Sequence, residues 1–131
     1  MEKKNNQVED FKQALTSTIK SISEKKDCEI SFGNSEFEKE KVISLADFNK
    51  LENPGDFLAV RAIADSEALR LKYSDKKIFN AYKPKGKLAG ELYKIAEKIR
   101  YEKIGSDEFR GIKKIYMRII QIIDKFLKKV F

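Results

Sequence analysis

The 131-residue chain contains no histidine and no tryptophan, a single cysteine, Cys28, and two prolines. Without His it lacks the side chain that ordinarily titrates near neutrality and the commonest transition-metal ligand. A lone Cys excludes an internal disulfide and any multi-cysteine zinc site. Cys28 therefore reads as a small core residue rather than a reactive thiol. Long apolar runs are missing too. The C-terminal apolar stretch is broken by Arg118, Gln121 and Asp124, so no membrane span is expected. The first ten residues are polar and charged, which does not suit a secretory leader, and a reducing cytoplasmic setting is expected. Phosphate-binding and dinucleotide-binding glycine loops, a nucleophile elbow, an Asp-x-Asp-x-Asp-Gly calcium loop and Asp-x-Ser-x-Ser are all absent. From these absences the chain alone is expected to have no catalytic, cofactor-binding or metal-binding residue.

What it has is charge, unevenly placed. The formal net charge is +7, but residues 1–60 carry a sum of −3 and residues 61–131 a sum of +10. The segment 110–131 holds seven basic residues against Asp124 alone. Such a surface suits nucleic acid, an anionic lipid surface or an acidic protein segment. Lysine supplies 23 of the 28 basic residues. Arginine is the residue favoured for bidentate phosphate and guanine recognition, so nucleic acid is not the first expectation.

The apolar pattern predicts a mostly α protein of α+β type: a helical bundle of about four main helices with a small antiparallel β-ribbon, in a single domain 1–131. Phe11, Ala14, Leu15, Thr18, Ile19 and Ile22 lie on one face of a helix over about 8–23, with Asn5 or Asn6 as its cap. Alternation in Cys28–Phe32 and again in Lys41–Leu45, across the polar stretch 33–40, gives the ribbon. Asn53-Pro54-Gly55-Asp56 punctuates the chain before a helix over about 56–73, with Phe57, Val60, Ala64, Ala68 and Leu71 inward. Ser74 or Asp75 is placed to cap a short helical piece at 78–82. A helix over about 88–104 is expected to turn Leu92, Ile95, Ala96 and Ile99 inward and to end at Gly105 as a left-handed cap. The last helix, about 111–130, has the cleanest stripe: Ile112, Ile115, Tyr116, Ile119, Ile122, Ile123, Phe126 and Val130. An ordinary core-facing helix has such a stripe, so this face is expected to pack on other helices. Its basic face offers Lys113, Lys114, Arg118 and Lys125 as interface candidates.

Charged residues within helices are the remaining candidates. Arg61 and Asp65 are four apart and Glu97 and Arg100 three apart, so each pair shares a face. Exposed pairs of this kind contribute only ~0.3–0.5 kcal/mol. Asp65 sits beside Ala64 and Ala68, close to the apolar stripe, and is expected to cross-link two packed helices; buried ion pairs fix geometry more than they add stability.

In order and spacing these segments resemble the amino-terminal region of CobT, a subunit of the aerobic, ATP-dependent cobaltochelatase. The resemblance begins with the Phe-x-x-Ala-Leu opening at Phe11, Ala14 and Leu15 and continues through Glu29-Ile30-Ser31-Phe32-Gly33. It is densest at Arg61-Ala62-Ile63-Ala64-Asp65-Ser66-Glu67-Ala68-Leu69-Arg70-Leu71, then passes Pro84-Lys85-Gly86 to Glu97-Lys98-Ile99-Arg100-Tyr101-Glu102-Lys103-Ile104-Gly105. Ser74-Asp75 stands where the family usually has His-Asp, and Ala62 where it has Gly. The resemblance marks Arg61, Asp65, Arg70, Glu97, Arg100 and Glu102 as motif residues of scaffold or interaction type. It implies cobalamin (vitamin B12) biosynthesis, in a ligase complex that inserts cobalt into hydrogenobyrinic acid a,c-diamide and uses ATP, Mg2+ and Co2+. It also implies partners: the AAA+ subunit CobS and the large subunit CobN, in an oligomeric assembly. The family's acidic stretch and carboxy-terminal metal-binding domain have no counterpart here, so the chain is expected to be a fragment or truncated relative. From the residues alone, the alternative is a small basic helical domain that binds nucleic acid or a membrane surface.

Overall fold

The computed structural model describes residues 2–33, 42–45 and 54–131. Within them the order is α1 (Glu2–Ser23), β1 (Glu29–Phe32), β2 (Val42–Leu45), α2 (Pro54–Tyr73), α3 (Lys76–Tyr82), α4 (Lys87–Glu108) and α5 (Arg110–Val130). The mostly helical class and each expected helix are present. The expected connection at 34–40, Lys41, and the turn residue Asn53 lie outside the described residues.

Local chemistry explains the boundaries. α1 begins before Asn5 and Asn6, so they lie inside it and are not its cap. It contains neither Gly nor Pro, and the chain leaves it at Glu24, which takes φ +59° in the left-handed position just past a helix end. α2 begins at Pro54, where a fixed φ and a missing N–H cost nothing. Of the two residues expected to cap α3, Asp75 does so: its Oδ1 accepts from the N–H of Lys77 at 2.8 Å and of Ile78 at 3.2 Å.

α2 is the central element, touching α1, α4, α5 and β2. The core comprises Leu15, Ile19 and Ile22 of α1, Cys28, Ile43, Leu45, then Ala64, Ala68, Leu69 and Leu71 of α2, Tyr101 of α4 and Ile112 of α5. Cys28 is buried among them, as expected of a small core side chain. Phe11 and Phe57 close one end edge-to-face at 5.0 Å.

Four further expectations need correction. The strands pair in parallel, Glu29 with Val42 through Phe32 with Leu45, not antiparallel. Alternation of period two is common to both kinds of pair, so the sequence pattern does not fix strand direction. Gly105 does not end α4, which runs on to Glu108. It is buried inside the helix, and a Cβ there would overlap the Leu69 side chain. The third concerns the stripe at Leu92, Ile95, Ala96 and Ile99. It faces outward, with Leu92, Ile95 and Ile99 58%, 54% and 62% exposed, because α4 turns Gly90, Tyr101 and Gly105 to the interior instead. Gly105 on that side lets α4 approach Leu69 of α2 closely, an advantage that hydrophobic periodicity does not register. Finally, α5 buries only Ile112 and half-buries Ile115, Tyr116 and Ile119, while Ile122, Ile123, Phe126 and Val130 stand more than half exposed.

Candidate functional site

The motif residues build a polar lattice where α4 lies on α2. Within α2, Arg61 Nε donates to Asp65 Oδ1 at 2.7 Å, and the Asp65 side chain is fully buried while that of Arg61 is one third exposed. Burial pushes the Asp65 carboxyl up, and the hydrogen bond and charge of Arg61 only partly offset this. Its Oδ2 finds no hydrogen-bond partner among the described residues. Asp65 therefore pairs within its own helix, correcting the expected cross-link. The link between helices comes from its neighbour: Ser66 Oγ donates to Glu102 Oε1 at 2.6 Å.

Farther along the seam, the Arg100 guanidinium grips Glu97 with Nε–Oε2 at 2.9 Å and Nη2–Oε1 at 2.6 Å. Its Nη2 also donates to the carbonyl of Tyr73, the last residue of α2, at 2.6 Å. Helix carbonyls at that end have no intrahelical partner, so Arg100 closes α2 from a neighbouring helix. The hydrogen bond from Arg100 holds the Glu97 carboxyl below its usual range, against a smaller opposing effect of burial. Arg70 bonds Glu67 through Nε and Nη2 at 3.1 and 2.9 Å and remains a pair within α2.

Two tyrosines lie beside the lattice and were not singled out by motif. Tyr101 is buried, which raises its phenol above the ordinary value. Tyr116 of α5 comes in from the other side. Burial drives its phenol far above the usual range, and the charges of Glu102 and Asp65 add to this. Its hydroxyl, like Asp65 Oδ2, has no hydrogen-bond partner among the described residues. Sequence periodicity placed Tyr116 on an apolar stripe, and nothing in that pattern marks a phenol that feels the charge of carboxylates on two other helices. An open groove of about 480 Å³ lies nearby, lined in part by Ser17, Ser21, Arg61 and Arg110. Among the described residues no three His, Cys, Asp or Glu side chains are grouped as ligands for a metal ion. The lattice consists of ion pairs and hydrogen bonds that tie helices together.

The interface candidates lie elsewhere. Lys113, Lys114, Arg118 and Lys125 are all exposed on α5. At 3.6 residues per turn they fall opposite the stripe of Ile112, Ile119, Phe126 and Val130. Beyond Ile119 that stripe leaves the core, and Ile120, Ile122, Ile123, Phe126 and Val130 are 59%, 51%, 51%, 63% and 58% exposed. Asp124, the one acid, pairs with Lys128 at 2.8 Å. The outer part of α5 is thus an apolar surface backed by lysine. No described helix is long and apolar enough to cross a membrane.

Compared with known proteins, the chain matches a family model described as "Cobalamin biosynthesis protein CobT" over residues 5–120. No solved structure matches it.

Proposed function

The chain belongs to the CobT family of cobalamin biosynthesis proteins, and from that premise we propose that it is a non-catalytic docking and scaffold module of the ATP-dependent cobaltochelatase. In this reading the complex inserts its substrate Co2+ into hydrogenobyrinic acid a,c-diamide in the cytoplasm, using ATP and Mg2+. The AAA+ subunit CobS supplies ATP hydrolysis, CobN holds the macrocycle, and this chain joins the motor as one domain. Arg61, Asp65, Arg70, Glu97, Arg100 and Glu102 keep the module in shape, and Lys113, Lys114, Arg118 and Lys125 meet an acidic partner.

The observation that carries the proposal is the outer part of α5. Four large apolar side chains, Ile122, Ile123, Phe126 and Val130, stand more than half exposed on a helix whose other face is basic. A contiguous apolar patch rimmed by charge marks an interaction surface. A free helix of that length is only marginally stable, so a partner that covers the face also holds it helical.

The direct test is retention of the 131-residue chain on the immobilised AAA+ subunit, with and without ATP. Retention is expected, and Phe126→Asp should abolish it. Failure to bind in either nucleotide state, by this chain or a longer form, would refute the proposal. A second reading has the same exposed face in its favour: a basic amphipathic helix also suits an anionic bilayer. Flotation with anionic vesicles, absent with neutral ones, would favour that reading instead.

A further inference from the structure

α4 has two faces. Gly90, Tyr101 and Gly105 turn to the interior, while Leu88, Leu92, Ile95 and Ile99 point away, 75%, 58%, 54% and 62% exposed. Their spacing of four, three and four residues is that of the a and d positions of a heptad. A stripe this narrow is the seam of a two-stranded coiled coil rather than the broad face of a helix buried in a bundle. We infer that this seam binds a second copy of the chain, with the two α4 helices packed antiparallel about a two-fold axis.

The charges beside the seam select both the occupant and its direction. With Leu88 and Ile95 at d and Leu92 and Ile99 at a, the g positions hold Glu91 and Lys98, and the e positions hold Ala89 and Ala96. Antiparallel pairing sets g against g. Glu91 then lies beside Lys98 of the partner subunit, Lys98 beside the partner's Glu91, and the axis makes these two attractive contacts identical. Leu92 meets Ile95 of the partner subunit, and Leu88 meets the partner's Ile99. Parallel pairing would set Glu91 against the partner's Ala96 and Lys98 against the partner's Lys103, an idle contact and a repulsive one. On the other flank Ala89 and Ala96 are small enough for close approach. Competing ties on α4 itself are weak and exposed: Lys94 to Glu91 at 3.3 Å and Lys98 to Glu102 at 3.9 Å. Self-pairing through α5 is disfavoured, because each copy would bring seven basic residues against one acid.

The seam is under two heptads long, and contacts below roughly 1,200 Å² are at the weak end of protein interfaces. Self-association is therefore expected at ~10–100 µM, without the tight binding of an obligate dimer. Sedimentation equilibrium on the 131-residue chain should show an average mass rising from 15.2 kDa towards twice that value as concentration increases. Leu92→Lys should weaken association at least ~10-fold, with an unchanged helical circular-dichroism signal because Leu92 is exposed. Glu91→Lys and Lys98→Glu should each weaken it, and the double variant should restore it in the same protein. Phe126→Asp, on α5, should leave it intact, which separates this seam from the partner surface proposed above. A monomer at every concentration, a dimer indifferent to Leu92→Lys but lost on Phe126→Asp, or a double charge swap no better than its parents would each overturn the inference.

Discussion

Replacing Gly105 by alanine tests the packing of this fold at its closest approach. In an ordinary helix interior the change stabilises, because Ala is favoured over Gly by ~1 kcal/mol. Here Gly105 is buried in α4, and a Cβ would overlap both Cδ atoms and Cγ of Leu69. Leu69 is itself 0% exposed in the C-terminal half of α2, so its side chain has no solvent to swing into. Overpacking of a close-packed core costs ~1–3 kcal/mol and can exceed that where the neighbour is pinned. The overlap therefore outweighs the propensity gain, and a net loss of about 1–2 kcal/mol is expected. For a chain of this length that corresponds to a Tm drop of roughly 3–10 °C. Gly111→Ala in α5 is the control, since nothing lies within 4 Å of its added Cβ; it should be neutral or stabilising. A double-mutant cycle completes the test. Leu69→Ala alone should cost ~2–5 kcal/mol, yet adding it to Gly105→Ala should cost less, because the new methyl occupies part of the space vacated. Urea melts measure all four proteins. A Gly105→Ala variant as stable as Gly111→Ala, or costs that simply add, would refute the close α2–α4 contact.

Four further outcomes are expected. Ser66→Ala should cost ~1–2 kcal/mol in a urea melt by leaving a charged acceptor, Glu102, without its donor, and Glu102→Gln, which keeps an acceptor for Ser66, should cost less than Glu102→Ala. Because burial raises the Asp65 pKa above 3.8, the unfolded chain releases this proton first. Asp65 should thus lower stability as pH rises from about 3.8 through its folded value, a decline that Asp65→Asn removes in melts between pH 3 and 7. Glu97, held below its usual value by Arg100, has the opposite sign: its contribution is present above about 4.5 and fades as pH falls. Phe126→Asp should leave the thermal midpoint within a few degrees, since Phe126 is 63% exposed, while removing retention on the AAA+ subunit; loss of both together would mean that the residue supports the fold and not a partner.

Much of this protein was legible in its sequence, for identifiable reasons. Helical periodicity located the four long helices, because an element that buries one side against neighbours must repeat its apolar residues near every 3.6 positions. Capping chemistry pointed to Asp75, and the ordered motifs pointed to the family. Which apolar stripe meets the core was decided only in three dimensions. Periodicity gives a stripe but not its destination, and on α4 the close approach of Gly105 to Leu69 turned that side inward and left Leu92, Ile95 and Ile99 outside. The same holds for the polar lattice. Spacing along a helix reveals Arg61 with Asp65 and Glu97 with Arg100, but Ser66–Glu102 and Arg100–Tyr73 join residues far apart in sequence and exist only once α4 lies across α2. Strand direction was likewise undetermined by alternation, since period two is common to parallel and antiparallel pairs. The sequence by itself determined which residues are helical and how charge divides between the halves, because both are local or additive properties. Tertiary structure decided which faces are buried and which wait for a partner, because that depends on how closely two backbones can approach.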